Sequence, residues 1–365
     1  MDSPLLQVDN WLKTGPRPFL ISGPCSVETR TQFLTAAQEL ANTGQVHALR
    51  GGIWKPRTRP NAFEGIGGQG IEWMLEAKAM TGLPIMTEVA TADHVELCLQ
   101  HGFDMLWIGA RTTVNPFSVQ EVAEALKGVD IPVFVKNPVN ADLSLWVGAL
   151  ERMYAAGIKK VAAIHRGFSY YGKSIYRNKP MWEIPIALRS NFANLPILCD
   201  PSHISGRRDL LAPVAQRAMD LGFDGLMIES HPTPDQAWSD AAQQITASTY
   251  HDLILNLVIR QYDLSDLNAS NALAALRSQI DKIDEEIIGL IGDRMKLAEE
   301  IGVYKKEHNM VIFQLDRWQE IVSTRSQLAD RIGLSAEFID KYLEQLHKES
   351  IRAQTKVMNQ NDSII

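Results

Sequence analysis

Apolar and amphipathic segments alternate regularly along most of this chain. Eight short apolar runs recur: FLIS (19–22), VHAL (46–49), PIMTEV (84–89), MLWIGA (105–110), PVFVKN (132–137), KVAAIHR (160–166), PILCDP (196–201) and GLMIES (225–230). The segments between them, such as TQFLTAAQELA, have the spacing of amphipathic helices. Continuous apolar strands that alternate with helices are typical of a parallel sheet covered by helices.

The number of strand–helix units favours one α/β architecture. Eight units in about 250 residues match a (β/α)8 TIM barrel, in which helices surround a closed parallel sheet. A doubly wound open sheet is the alternative, but no GxGxxG motif follows the first predicted strand. We therefore expect a TIM barrel over residues 1–262.

The pattern changes after Tyr262. Segment 263–271, DLSDLNASN, is polar and rich in turn-forming residues, so we expect a linker there. Domain 272–365 should be helical, because its apolar positions predict one helix to about His308 and shorter helices at 315–330 and 335–357. The first helix would be roughly 50 Å long at ~1.5 Å per residue. Two short helices cannot cover it, so we expect an all-α three-helix domain that dimerises with a second copy.

The composition excludes several classes of protein. The chain has 365 residues, of which 45% are hydrophobic and 22% charged, as in ordinary soluble globular proteins. A net charge of −7 and a pI near 5.8 argue against a general nucleic-acid binder. No apolar run reaches the ~18 residues of a membrane span, and the N-terminus lacks the pattern of a signal peptide. Three widely separated cysteines fit a reducing compartment, so we expect a cytoplasmic protein.

Positive charge is concentrated where the predicted strands end. The segment RGGIWKPRTRP (50–60) carries four cations by itself. Five cations are expected at the carboxyl-terminal rim of the barrel: Arg50, Lys55, Arg111, Lys136 and Arg166. Arginine binds phosphate and carboxylate groups through paired donors, and lysine supplies a point charge. Because these cations would repel one another without anions between them, we expect a small, highly anionic substrate.

A second polar group follows predicted strands 1, 7 and 8, which are neighbours in a closed barrel. It consists of Cys25, His203, Glu229 and Asp240. A thiolate, an imidazole and two carboxylates can bind a divalent transition metal, and this mixture leaves Mn, Fe, Co and Zn open. Such an ion would act as a Lewis acid on a carbonyl oxygen.

Five motifs together resemble those of a known family. The segments GPCSVE, RGGIWKPRTRP, IGAR, DPSH and ESHPTP…WSD are similar to 3-deoxy-D-arabino-heptulosonate 7-phosphate (DAHP) synthase, over roughly residues 15–262. The resemblance implies a shikimate-pathway reaction in which phosphoenolpyruvate and erythrose 4-phosphate give DAHP and phosphate. The related 3-deoxy-octulosonate 8-phosphate synthases, which use arabinose 5-phosphate, usually carry Lys-Ala-Asn-Arg where this chain has KPRT (55–58), so the four-carbon sugar is favoured.

The same resemblance implies roles for individual residues. It implies Cys25, His203, Glu229 and Asp240 as metal ligands, with Mn as the first choice of cofactor and Fe, Co or Zn as alternatives. It implies that Arg50 and Lys55 contact the phosphoenolpyruvate carboxylate, that Arg111, Lys136 and Arg166 contact its phosphate, and that Arg57 and Thr58 contact erythrose 4-phosphate. Glu88 would lie near the carbon that receives water. We expect Lys55, Glu88 and Lys136 to be catalytic.

The C-terminal segment LAALRSQIDKIDEEIIGLIGDRMKLAEEIGVYKK resembles the first helix of an all-helical chorismate mutase, with similarity over about 270–357. The resemblance implies that the substrate contacts are Arg277, Arg294, Lys305, Arg317, Ser350 and Gln354, with Arg294 and Lys305 catalytic. Gln314 and Trp318 depart from the acidic residues common in that family. We expect a bifunctional enzyme; the alternative is a DAHP synthase whose tail only dimerises and senses chorismate or prephenate as a regulatory module.

Overall fold

The computed structural model describes residues 11–12, 18–56, 63–260 and 267–359. Two compact units make up the chain, residues 1–262 and 263–365. Within the described residues, no helix combines the length and the apolar character needed to cross a membrane.

The first unit is a closed barrel of eight parallel strands in the order in which they occur along the chain. The strands are β1 Phe19–Gly23, β2 Ala48–Arg50, β3 Ile85–Val89, β4 Met105–Ile108, β5 Val133–Lys136, β6 Val161–His165, β7 Ile197–Cys199 and β8 Gly225–Glu229. The barrel closes because β1 pairs in parallel with both β2 and β8. The predicted TIM barrel is confirmed, and the doubly wound sheet is excluded.

Both faces of the strands are buried, which explains their continuous apolar character. In β6, Ala162 and Ile164 belong to the cluster inside the barrel, whereas Val161 and Ala163 belong to the layer between the strands and the helices. Trp11 packs against this interior cluster and donates a hydrogen bond from its indole nitrogen to the Val161 carbonyl at 3.0 Å. Because parallel strands all run the same way, their carboxyl ends form one rim.

Helices cover the barrel, and several of them begin at a side-chain cap. They are α1 Arg30–Asn42, α2 Gln69–Thr81, α3 Ala92–Gln100, α4 Ala110–Thr113, α5 Pro116–Ala125, α6 Leu143–Ala155, α7 Glu183–Asn191, α8 Pro201–Ser205, α9 Leu211–Asp220 and α10 Ala247–Leu255. Short 3-10 helices span Arg208–Leu210, Pro234–Gln236 and Ala241–Gln243. Thr29, Thr91 and Asp142 each accept a hydrogen bond from a backbone amide in the first turn of the helix that follows.

The second unit consists of three helices, α11 Leu267–Glu307, α12 Leu315–Arg331 and α13 Ala336–Asn359. Helix α11 begins at Leu267, inside the segment 263–271 that we expect to be a linker, and its 41 residues span roughly 60 Å. Helices α11 and α13 cross closely at Gly302, where a Cβ atom would lie 3.0 Å from the Cα of Gln354. Much of α11 exposes apolar side chains in this single chain, including Leu276, Ile280, Ile283, Ile287 and Leu290.

Candidate active sites

Three of the four predicted metal ligands cluster at the carboxyl-terminal rim of the barrel. One ligand atom each from Cys25, Glu229 and Asp240 lies within 4.8 Å of the other two. Cys25 Sγ is 3.3 Å from Asp240 Oδ2. The fourth residue, His203, points its Nε2 atom into the same cluster, 3.7 Å from Glu229 Oε1 and 3.9 Å from Asp240 Oδ2.

These separations fit one transition-metal ion. Ligand atoms held about 2.0–2.3 Å from a tetrahedral ion are about 3.3–3.8 Å apart, close to the spacing in the cluster. Glu229 Oε1 is buried and accepts no hydrogen bond from the described residues, although Arg50 Nη2 lies 3.3 Å away. A buried carboxylate oxygen without such a bond is expected where an ion completes the site.

Polar side chains behind the cluster hold the ligands in place. Asp200 Oδ2 lies 2.8 Å from His203 Nδ1, which leaves Nε2 directed at the cluster, and the same oxygen accepts a hydrogen bond from Lys136 Nζ at 2.7 Å. Glu229 Oε2 accepts a hydrogen bond from the Gln243 amide at 2.7 Å. Hydrogen bonds of this kind orient the side chains that coordinate a metal ion and raise the affinity for the metal.

The protonation of the ligands is set mainly by burial. Burial, followed by the neighbouring charge of Glu229, raises the pKa of the Cys25 thiol to about 12, so an ion that binds there must displace its proton. Burial also lowers the pKa of His203, which keeps its imidazole neutral and able to bind a metal. Burial alone would raise the pKa of Asp240, but the positive charges of Arg177 and Lys55 oppose it and the net shift is downward.

Arg50 presents unused hydrogen-bond donors beside the cluster. Its Nη2 donates to the Cys25 carbonyl at 3.3 Å, while its buried Nε and Nη1 atoms bind no acceptor in the described part of the chain. The guanidinium lies 4.9 Å from the centre of the Trp107 ring, and Lys136 Nζ lies 5.8 Å from the same ring. A buried arginine with two unsatisfied nitrogens is suited to an anionic ligand.

The remaining rim residues surround the same region. Lys55 Nζ lies 2.8 Å from Cys25 Sγ. Burial lowers the pKa of Arg166 to about 10, and the neighbouring cations Arg177 and Arg111 add to this effect against the opposing charge of Asp200. The half-buried Glu88 accepts a hydrogen bond from the Trp107 indole at 3.2 Å. A Cβ atom at Gly109 would lie 2.0 Å from Glu88 Oε1, so only glycine leaves room for this carboxylate.

The helical unit contains a separate polar cluster at the crossing of α11 and α13. Arg294 donates a short hydrogen bond to Ser350 Oγ, and the buried Gln354 donates from Nε2 to the Ser350 carbonyl at 3.3 Å. Gln354 Oε1 is buried and accepts no hydrogen bond from the described residues. Lys305 is also buried and donates to the Ile312 carbonyl. A cavity of about 290 Å³ adjoins this cluster, and Arg294 and Arg317 contribute to its lining.

Comparison with known families assigns both units. The DAHP synthetase I family matches residues 9–259, and the family chorismate mutase type II matches residues 276–355. The chain belongs to the DAHP synthetase I family. The two domains make it a bifunctional enzyme of the shikimate pathway, a DAHP synthase and a chorismate mutase.

Individual relatives support the assignment of the DAHP synthase domain. A phospho-2-dehydro-3-deoxyheptonate aldolase of Thermotoga maritima is 32% identical over 235 residues, which cover 64% of this chain and 67% of that protein. The crystal structure of the DAHP synthase from Thermotoga maritima matches with a TM-score of 0.60 at 31% identity, over 66% of this chain and 68% of that one. A 2-dehydro-3-deoxyphosphooctonate aldolase of a Bradyrhizobium species is 25% identical over 66% of this chain and 86% of that protein.

Most sequence-predicted residues of the DAHP synthase domain lie together at the rim, but two cannot be placed. Arg57 and Thr58, expected to contact erythrose 4-phosphate, fall outside the described residues. Three contacts had no assigned role from sequence. Asp200 belongs to the DPSH motif, which gave it no role of its own, while Trp107 and Gln243 lie outside the five motifs.

In the chorismate mutase domain one predicted residue lies far from the others. Arg277 is 17 positions before Arg294 on α11, which places it roughly 25 Å away along the helix axis. Trp318 packs against the small core of Ala329, Ile339 and Leu343, and its ring stacks on that of His347 at 4.1 Å. Trp318 therefore supplies a flat apolar surface to this core.

Proposed function

We propose that the rim of the barrel condenses phosphoenolpyruvate with erythrose 4-phosphate, using a divalent metal held by Cys25, His203, Glu229 and Asp240. The observation that carries the proposal is the convergence of these ligand atoms beside the unsatisfied nitrogens of Arg50. We further propose Mn as the metal, with Fe, Co and Zn as alternatives for so mixed a set of ligands. When bound, the ion would supply Lewis-acid polarisation of the aldehyde oxygen.

The cations divide between the two ends of phosphoenolpyruvate. We assign Arg50 and Lys55 to its carboxylate, because Arg50 offers two buried nitrogens and Lys55 lies beside the same cluster. We assign Lys136, Arg166 and Arg111 to its phosphate, because Lys136 binds Asp200 and the charges of Asp200 and Arg111 both act on Arg166. Arg57 and Thr58 would bind the phosphate of erythrose 4-phosphate.

The reaction then needs positioning and proton transfer. Carbon 3 of phosphoenolpyruvate attacks the aldehyde carbon, water adds at carbon 2, and the carbon–oxygen bond to phosphate breaks. Two dilute reactants held side by side react far faster than in solution. Lys55 can donate a proton to the new alkoxide, Glu88 can accept one from the attacking water, and Lys136 can offset the charge of the departing phosphate.

The aldehyde consumed tests this assignment. Purified protein with Mn²⁺ and phosphoenolpyruvate is given erythrose 4-phosphate or arabinose 5-phosphate, and released phosphate is measured. We expect kcat/KM to be higher with the four-carbon sugar. A preference for arabinose 5-phosphate would instead support a 3-deoxy-octulosonate 8-phosphate synthase.

For the helical domain we propose that Arg294, Lys305 and Arg317 bind the carboxylates and ether oxygen of chorismate, with Ser350 and Gln354 completing the contacts. A pericyclic rearrangement needs no nucleophile. It needs the dianion held in a compact shape and positive charge near the breaking ether bond. The buried Lys305 and the unsatisfied Oε1 of Gln354 suit a site that a polar ligand completes.

We propose that a second copy of the chain completes the mutase site. The exposed apolar side chains of α11 need a partner surface, and Arg277 lies too far from Arg294 to join it within one chain. An antiparallel partner helix would bring its own Arg277 to the site. We accordingly expect a homodimer. Because the chain belongs to a biosynthetic enzyme family, we also propose that it is cytoplasmic.

An assay of chorismate turnover tests the alternative, in which the helical domain binds chorismate or prephenate without converting it. Chorismate consumption is followed by absorbance in the wild-type protein and in Arg294→Ala. Consumption that the substitution abolishes supports the mutase. Binding of chorismate or prephenate without turnover supports a regulatory module, and the synthase rate with added prephenate then shows whether it regulates the barrel.

A further inference from the structure

A buried network joins the two loops that carry Cys25 and Asp240. Glu28 lies three residues after Cys25 and is almost completely buried. Its Oε1 atom accepts a hydrogen bond from the backbone amide of Trp238 at 2.7 Å, and its Oε2 atom lies 3.3 Å from His231 Nε2. Both partners belong to the loop that leads from β8 to Asp240, so one carboxylate connects the two loops.

The protonation of His231 follows from its other contact. His231 Nδ1 accepts a hydrogen bond from the Thr233 amide at 3.0 Å, so the ring proton lies on Nε2. Nε2 therefore donates to Glu28, and both carboxylate oxygens of Glu28 act as acceptors. An amide at this position would have to direct its NH2 group at one of these two donors.

Two further bridges join the same loops. The hydroxyl groups of Ser26 and Ser239 form a short hydrogen bond, and both residues are buried next to a predicted ligand. The Gln244 side chain accepts from the Cys25 amide at 2.9 Å and donates to the Ser239 carbonyl at 2.8 Å. Hydrogen bonds at residues next to the predicted ligands thus connect the segment that carries Cys25 with the segment that carries Asp240.

The backbone of Asp240 shows why such support is needed. Its φ angle is +51°, in the left-handed region that residues other than glycine seldom adopt. A conformation of this kind persists only where its surroundings hold it. Glu28 fixes Trp238 and Ser26 fixes Ser239, the two residues that directly precede Asp240.

We infer that Glu28 is a positioning residue for the metal site, which holds the Asp240 carboxylate at coordinating distance from Cys25 Sγ through the loop after β8. The inference rests on the proposed metal site. Glu28 does not touch the ligand cluster itself, so its effect is on how well the ligands are placed. Substitutions of such supporting residues typically weaken metal binding by about 10–100-fold.

Mn²⁺ binding to the full-length protein tests the inference. Free Mn²⁺ is measured by its EPR signal during titration of the metal-free wild type, Glu28→Gln and Glu121→Gln, with folding checked by circular dichroism. Glu121 is the control because it also accepts a backbone amide, that of Ala92 at 3.2 Å, but lies on the exposed face of α5. We expect Kd to rise about 10–100-fold in Glu28→Gln alone, and saturating Mn²⁺ to restore most of the synthase rate.

The outcomes separate the inference from the proposed site. A folded Glu28→Gln protein that binds Mn²⁺ as tightly as the wild type overturns the inference and leaves the metal site intact. If the wild type itself binds no Mn²⁺, the proposed site fails and the inference fails with it. If Glu28→Gln does not fold, His231→Phe decides, because it keeps a ring and the Glu28 carboxylate but removes the donor to Glu28 Oε2; unchanged affinity in the folded His231→Phe protein contradicts the inference.

Discussion

The carboxylate of Asp200 is shared between Lys136 and His203, because its Oδ2 atom lies 2.7 Å from Lys136 Nζ and 2.8 Å from His203 Nδ1. A residue proposed to bind phosphate and a residue proposed to bind the metal are thereby joined through one buried oxygen. Displacement of either partner changes the contacts of the other.

Substitution of Asp200 by asparagine tests this connection. Asparagine keeps the shape of the side chain but carries no negative charge and has only one acceptor oxygen. Lys136 therefore loses its counter-ion, and His203 loses the contact that orients its ring. We expect Mn²⁺ affinity to fall about 10–100-fold and the KM for phosphoenolpyruvate to change as well. Titration with Mn²⁺ and steady-state kinetics measure the two effects. A change in only one of them contradicts a shared role.

Arg50→Lys tests the paired nitrogens beside the metal cluster. Lysine keeps the positive charge but loses the planar pair of donors. We expect kcat/KM for phosphoenolpyruvate to fall about 10–100-fold, as for the loss of one charge-assisted hydrogen bond. Arg30→Lys, in an exposed pair with Glu76, is the matched control and should react at the wild-type rate. Equal rates for the two variants would remove Arg50 from the substrate site.

The mutase site predicts complementation between inactive variants. Arg277→Ala and Arg294→Ala should each lower chorismate turnover by about 10²–10³-fold. If Arg277 acts in the partner's site, an equal mixture after subunit exchange forms half heterodimers, each with one intact site, and recovers about a quarter of the wild-type rate. Absorbance assays of the mixture measure this recovery. A mixture as inactive as its components would show that Arg277 acts elsewhere.

His165 predicts how the stability of the barrel depends on pH. Burial, together with the charge of Arg166, lowers the pKa of His165 from 6.5 to about 3. The unfolded chain binds a proton below about pH 6.5 and the folded chain does not, so His165 costs stability as the pH falls from 6.5 towards 3, by up to about 1.4 kcal/mol per pH unit. Above pH 6.5 this cost is absent.

His165→Leu should remove that dependence. Urea unfolding of the metal-free protein is measured at pH 7.5 and pH 5.5, with the exposed His101→Leu as control. The wild type and the control should lose about 1.4 kcal/mol more than His165→Leu between these two conditions. Parallel losses in all three proteins would be evidence that His165 does not hold a neutral ring in the fold.

The strands and the rim were predictable from sequence because both follow from a strict local pattern. Each strand is buried on both sides, so it appears as an apolar run, and the residue after the run must lie at the rim. Cys25, Glu229 and Arg50 were located in this way. The partners of these residues were not predictable. Gln243 contacts Glu229 within the segment after β8, Trp107 contacts Glu88 on the neighbouring strand, and neither contact follows from a motif. The role of Asp200 became visible only from its distances to Lys136 on β5 and to His203, three residues further along the chain.

In the helical domain, too, some features were predictable from sequence and others were not. Helical periodicity predicted three helices and the exposed stripe of α11, but not that the helix begins within the expected linker. Only the structure shows that the ring of Trp318 packs on that of His347, 29 positions further along the chain.

The length of α11 has a consequence for how the two activities respond to dilution. If Arg277 acts in the partner's site, as proposed, each mutase site is built from two chains, whereas the rim residues of the barrel all come from one. As the protein is diluted below its dimer dissociation constant, chorismate turnover per chain should fall while the intact barrel continues to make DAHP. The ratio of the two rates would then act as a gauge of how much protein the cell contains.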